Sequence, residues 1–148
     1  MPEIFALDTN LYIGALRGDE VRQELGRFLG RVGPRMRLHA VVAMELRAGA
    51  RTPAQRAAVV SLTAADISRD RVVTPSLDAY VQAGRVIADL AVKERFDAGA
   101  APSFANDVLI ATACREVGVT LVTANHGDFT RIGRHLRGFR VAAPWPAG

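Results

Sequence analysis

Four acidic residues sit where their chemistry attracts notice. Asp8 closes the apolar run Phe5 to Leu7 and precedes Thr9 and Asn10, so a carboxylate stands at the end of what reads as a buried strand. Glu45 lies in VVAMELRAG among apolar neighbours. Asp107 stands beside Asn106 in FANDVLIATA, in the expected first turn of a helix that otherwise looks buried, and Asp128 belongs to TANHGDF, which begins where the run VTLV ends. Brought together, such groups repel: two like charges about 4 Å apart cost roughly 4 kcal/mol at an effective dielectric near 20. Protons or cations must then neutralise them. An all-oxygen donor set, with His39, His126 and His135 too scattered to form a metal triad, favours a hard ion, Mg²⁺ or Mn²⁺. Such ions activate water and steady a leaving oxygen, which suits phosphodiester hydrolysis.

The elements that would carry these acids follow from periodicity and capping. Glu3 to Leu7, Arg37 to Ala40, Arg71 to Thr74, Val119 to Thr123 and FRVAA near the end read as strands. Between them lie helical patterns. Asp8-Thr9-Asn10 can cap one, and Asp19 starts another with Val21, Leu25, Phe28, Leu29 and Val32 on one face, stopping at Gly33-Pro34. VVAMELRAGA and TPAQRAAVVSLTAADI follow, the second with a Thr cap and Pro at its first position. A long helix from Ser76 to about Phe96 carries Leu77, Tyr80, Val81, Gly84, Ile87, Ala88 and Ala91 at helical spacing. Asp97 to Ser103 reads as a loop, and FANDVLIATACREVG as a helix closed by Gly118. Strands separated by helices imply a three-layer α/β/α domain with a short, mainly parallel sheet, expected to occupy residues 1–148 as a single unit. In open sheets of this kind ligands bind beyond the carboxyl ends of the strands. Asp8 and the TANHGDF segment point to that edge, and Glu45, on a helix that follows a strand, lies near it.

Composition bounds the partners. The chain has 148 residues, 49% of them hydrophobic, and a net charge of +4 carried almost entirely by arginine, with Lys93 the sole lysine. Arginine suits bidentate phosphate contacts and stacking on bases, but a GC-rich genome would enrich Arg, Ala and Gly together, so charge alone decides little. No apolar run is long and uncharged enough to span a bilayer, and no secretory signal is evident. One cysteine, Cys114, excludes an internal disulfide and fits the reducing cytoplasm, where the protein is expected to reside.

The motifs LDTN, MEL, NDVLIAT and TANHGDF, in that order over essentially the whole chain, resemble the acidic signatures of PIN-domain proteins, particularly VapC-type toxins of bacterial toxin–antitoxin pairs. The resemblance implies a Mg²⁺-dependent endoribonuclease, with Mn²⁺ as a possible substitute, acting on single-stranded or loop RNA and leaving a 5′-phosphate and a 3′-hydroxyl. Carried over residue by residue, the catalytic and metal-binding quartet falls on Asp8, Glu45, Asp107 and Asp128, with Asp8 and Asp107 the firmest ligands. Thr123 and Asn125 would hold the strand end and orient Asp128, and Asn10 would orient Asp8 or contact a phosphate. The resemblance also implies a homodimer inhibited by a VapB-type antitoxin, for which Phe28, Leu29, Val59, Val60 and Leu62 are candidate contacts and equally candidate core.

Each acid also has a plainer explanation. Asp8 and Asn10 can be ordinary caps, Asp107 a helix-start acid favoured by the dipole, and Glu45 a partner of Arg47 or Arg51. Cys114 reads as a small buried hydrophobe, Tyr80 and Trp145 as packing residues, with Trp145 alternatively covering an interface. A haloacid-dehalogenase-type phosphatase would want an Asp where Asn10 stands, and a response-regulator receiver would want a Lys after a late strand. The competing class is a PIN-fold binding or scaffold protein without activity.

Overall fold

The computed structural model describes residues 2–98 and 101–147. β1 (Ile4–Leu7) leads into α1 (Thr9–Arg17) and α2 (Asp19–Val32), and a 3-10 turn (Gly33–Arg35) leads into β2 (Met36–His39). There follow α3 (Ala40–Gly49), α4 (Pro53–Ser68), β3 (Val72–Val73), α5 (Leu77–Lys93), α6 (Pro102–Glu116), β4 (Val119–Val122), α7 (His126–Gly133) and β5 (Val141–Ala142). The strands form one sheet in the order β3-β2-β1-β4-β5, and every pairing is parallel. The expected α/β/α arrangement is therefore present, with a sheet wholly rather than mainly parallel.

This order has a consequence for position. The chain builds β2 and β3 to one side of β1, then crosses to build β4 and β5 on the other, so the topology reverses between β1 and β4. A crevice opens at the carboxyl ends of strands at such a point. Leu7 pairs with Val122, and the Asp8 amide donates to the Val122 carbonyl at 2.9 Å. Asp8 and Thr123 thus leave the sheet side by side.

Burial on both sheet faces explains the near-continuous apolar strands: Phe5, Ala6, Leu7, Leu121 and Val122 are all fully buried. Helix starts are specified locally. Asp8 caps α1, Ser76 caps α5, and Thr52 with Gln55 forms a reciprocal capping box ahead of Pro53 on α4. At the other end, α6 gives way to β4 through Gly118, whose φ of 70° is a conformation that glycine adopts without Cβ strain.

Three expectations are corrected. First, α5 is turned. Its buried face is Ala79, Ala83, Val86 and Leu90, roughly a third of a turn from the stripe read off the sequence. Leu77, Tyr80 and Val81 are instead exposed, Leu77 by 80%, so Tyr80 is not a packing residue. The small face wins because α6 comes close: the Thr112 hydroxyl donates to the Ala79 carbonyl at 2.9 Å, which a larger neighbouring side chain would obstruct. Second, α6 begins at Pro102, within the stretch expected to be a loop; residues 99 and 100 of that stretch lie outside the described residues, as do the two ends of the expected 1–148 unit. Third, α6 has a wider buried face than the apolar side that Val108, Ala111 and Thr112 mark in its sequence: Phe104, Ile110, Ala113 and Cys114 are buried as well. Trp145 packs its ring 5.6 Å from that of Phe28, which is fully buried and so belongs to the core.

The orientation of α5 is testable. Leu90→Ala is expected to lower stability in urea titration by about 2–5 kcal/mol, the cost of a cavity at a fully buried leucine. Ile87→Ala, at a half-buried position, should cost less than half as much. Equal costs would mean that the helix sits as its sequence period suggested.

Candidate active site

Asp8 leaves β1 with both carboxylate oxygens engaged. Oδ1 accepts the Thr9 amide at 2.8 Å and Oδ2 accepts the Thr123 hydroxyl at 2.7 Å. The Thr123 oxygen in turn accepts the Asn125 amide at 2.9 Å, so its proton is directed at Asp8. Burial pushes the Asp8 carboxyl above its ordinary pKa, an effect these two donors oppose.

Asp128 is held from the other side of the same turn. Asn125 caps α7: its Oδ1 accepts the Asp128 amide at 3.4 Å, and its Nδ2 donates to Asp128 Oδ2 at 3.1 Å. Asn125 therefore orients Asp128, whereas Thr123 orients Asp8. Asn10 is exposed and, among the described residues, makes no side-chain hydrogen bond to any of the acids. The neighbouring residue takes the bridging role instead. Thr9, whose amide holds Asp8, donates its hydroxyl to Glu45 Oε1 at 2.7 Å and so couples α1 to α3. The sequence signal for Thr9 was present in LDTN but was indistinguishable from an ordinary helix start.

Asp107 joins the three through its field. It occupies the second turn of α6, since that helix starts at Pro102, and the helix dipole fades within the first turn. The helix-start explanation thus loses its basis. Its pKa is pushed up to about 7, by burial first and then by the charges of Asp8, Glu45 and Asp128 in turn. Asp8 at the end of β1 and the acids of α3, α6 and α7 therefore share one electrostatic environment. No arginine, lysine or histidine forms an ion pair with any of them among the described residues, and the proposed partners of Glu45, Arg47 and Arg51, make none.

The donor set suits a hard divalent ion. Among the described residues, however, no three His, Cys, Asp or Glu side chains are close enough together to hold one. The two observations are compatible because Coulomb coupling reaches further than a ligand bond. Mg²⁺ keeps several waters and is commonly held by one or two carboxylates together with substrate phosphates, which this open arrangement accommodates. His126 is exposed at the start of α7, and Cys114 is buried with its thiol pKa raised, which keeps that thiol protonated and unreactive.

A cleft of about 370 Å³ lies between α1, α3 and α4 and meets the acids only at Glu45. Ile13, Leu16, Leu46, Ala54 and Val59 line it, with Arg17 at its side.

Residues 5–135 match the PIN domain family, and the chain belongs to that family. Its structural matches include VapC components of VapBC toxin–antitoxin complexes. DNA-bound VapBC from Salmonella typhimurium is similar with a TM-score of 0.72 and 25% identity, over 96% of this chain and 98% of that chain. VapBC-1 from nontypeable Haemophilus influenzae shares the fold with a TM-score of 0.68 and 21% identity, over 95% and 97%. FitAcB from Neisseria gonorrhoeae does so with a TM-score of 0.68 and 19% identity, over 96% and 99%. No curated protein matches the chain.

The raised Asp107 pKa carries a stability prediction. A carboxyl whose folded-state pKa lies above the unfolded value contributes stability that is fully present below the unfolded pKa and lost as pH rises through the folded one. In EDTA the protein should therefore lose stability between about pH 4 and pH 7. Asp107→Asn should flatten that loss and raise Tm at pH 8, read by thermal melts across the range. A parallel pH profile in the variant would place Asp107 outside the shared field.

Proposed function

We propose that this PIN domain is a divalent-metal-dependent endoribonuclease, the toxin of a toxin–antitoxin pair. The observation that supports it most directly is the coupling of Asp107 to Asp8, Glu45 and Asp128 without a protein cation to neutralise them. Asp8 and Asp107 are the principal ligands in this reading, and Glu45 and Asp128 complete the site directly or through water. A bound Mg²⁺ or Mn²⁺ supplies positive charge against the scissile phosphate and acidifies the attacking water.

The chain's own residues prepare that step. Thr123 and the Thr9 amide hold Asp8 rigidly while leaving lone pairs on each oxygen. Asn125 fixes Asp128, and the Thr9 hydroxyl fixes Glu45, so three of the four acids are already oriented when an ion arrives. Asn10, exposed beside Asp8, is placed to meet a phosphate. The arginine-rich surface favours a polyanion, and the net charge of +4 adds long-range attraction.

The partners follow the same geometry. The apolar cleft that runs to Glu45 suits a helical segment of a VapB-type antitoxin whose basic side chain would satisfy the acids in place of metal. Val59 lines that cleft, whereas Leu29 and Val60 are exposed elsewhere on α2 and α4. The exposed stripe Leu77, Tyr80 and Val81 on α5 suits a homodimer contact. No helix of the described residues is long and apolar enough to cross a membrane, and cytoplasmic residence accords with an RNA substrate.

Purified protein mixed with cellular RNA should cleave it in Mg²⁺ or Mn²⁺, and EDTA should abolish cleavage. Asp8→Asn and Asp107→Asn should each reduce the rate by about 100-fold or more, the scale seen when a group that stabilises developing charge is removed. Cleavage that survives chelation would refute the mechanism, and RNA left intact by wild type under every condition would favour an inactive binding protein. For the dimer, light scattering should give twice the monomer mass for wild type and the monomer mass for Val81→Glu. A Val81→Glu protein that still dimerises would exclude α5 as the contact.

A further inference from the structure

One buried side chain ties together the two helices that carry Glu45 and Asp107. His39 ends β2, is fully buried, and caps α3. Its Nδ1 accepts the Val41 amide at 3.1 Å, and its Nε2 stands 3.2 Å from the Ile110 carbonyl oxygen on α6. An amide N–H only donates and a carbonyl only accepts. Both contacts are therefore hydrogen bonds in a single state, the neutral ring with its proton on Nε2. Burial lowers the His39 pKa to about 4, so that state persists at neutral pH.

The attachment points are placed with respect to the acids. Val41 lies four residues before Glu45 on α3, and Ile110 lies three residues after Asp107 on α6, so each bond is made one helical turn from a site carboxylate. The usual capping residues, Ser, Thr, Asp and Asn, would satisfy the Val41 amide equally well. Their side chains are too short to continue to a second helix, whereas an imidazole has a second nitrogen on its far side. The load on this link is electrostatic. Glu45 and Asp107 carry like charge on separate helices, and their repulsion acts to part α3 from α6.

We propose that His39 is a positioning residue that holds α3 and α6 at a fixed separation and so sets the spacing of Glu45 and Asp107, two of the residues that would hold a divalent ion. The proposal rests on the metal-dependent reading and is tested partly outside it. In His39→Asn the side-chain amide can still serve Val41 but cannot reach Ile110; in His39→Gln the longer amide can reach Ile110 at the expense of the cap. Mn²⁺ is titrated calorimetrically into the full chain of each variant. His39→Asn should bind Mn²⁺ roughly tenfold more weakly than wild type, in line with losses seen when outer groups that orient metal ligands are removed. His39→Gln should remain within about twofold of wild type on the same scale. Wild-type affinity in a folded His39→Asn would overturn the proposal. Should His39→Asn fail to fold, His39→Gln decides: retained affinity supports the link, and a tenfold loss overturns it.

A second measurement needs no metal. In EDTA at pH 8, Glu45→Gln removes one of the repelling charges, and it should raise Tm more in the His39→Asn background than in wild type. Equal rises in both backgrounds would make His39 an ordinary cap whose effect simply adds. A wild type that binds no Mn²⁺ would refute the metal reading, and this comparison would still decide the role of His39.

Discussion

Repulsion among carboxylates gathered at one edge of the sheet is the constraint that the surrounding structure answers. The parallel order β3-β2-β1-β4-β5 brings Asp8 and Thr123 out beside each other, and helices that follow β2 and β4 deliver Glu45 and Asp128 to the same edge. α6 passes underneath with Asp107 in its second turn. Each of Asp8, Glu45 and Asp128 is restrained by a neutral donor, from Thr123, Thr9 and Asn125 respectively, and none by a cation. Neutral donors fix orientation while leaving the negative charge uncancelled, and that charge is the property an ion site requires.

The cleft and the acid edge divide the surface between two kinds of contact. Apolar residues of α1, α3 and α4 form the cleft, which could bury a partner side chain for a favourable hydrophobic contribution. Glu45 belongs to both regions, with its carboxylate bonded to Thr9 and its flank along the cleft. Anything seated in the cleft is thereby brought within reach of the charged edge, which gives a simple physical route by which a protein partner and a metal would compete.

Much of this was legible in the sequence because it is local. Strand ends, caps and acidic motifs are specified within a few residues, which is why the segments that carry Asp8, Glu45 and Asp128 could be assigned to one edge of the sheet before any packing was known. What escaped depends on long-range packing. The α5 pattern offers two apolar stripes, one of large residues and one with small Ala79 and Ala83, and only the close approach of α6 at Ala79 selects the second. Asp107 was placed in a first turn because the sequence marks Phe104, not Pro102, as the apparent start of the helix. Thr9 and His39 each look like a routine cap, and their second bonds, 36 and 71 residues away along the chain, carry no sequence signature.

The acids of the site differ in kind from three carboxylates elsewhere that are settled by ion pairs. Asp19 pairs with Arg22, Asp89 with Arg85 and Lys93, and Glu94 with Arg134 and His135, whose hydrogen bond first of all holds the Glu94 carboxyl below its ordinary pKa. Each of these three carboxylates has a cationic partner at the protein's periphery. The site differs: Asp8 at the end of β1 is buried and Asp107 in α6 is half-buried, both carboxyl pKa values are raised, and no ion pair relieves either among the described residues. Selection for stability alone would replace such groups with amides of the same shape, which would keep most of the hydrogen bonds and remove the repulsion. The carboxylates that weaken the folded state are thus the ones whose negative charge a divalent cation would turn to use, and the fold accepts their cost because the core beneath them is continuous from Phe5 to Val122.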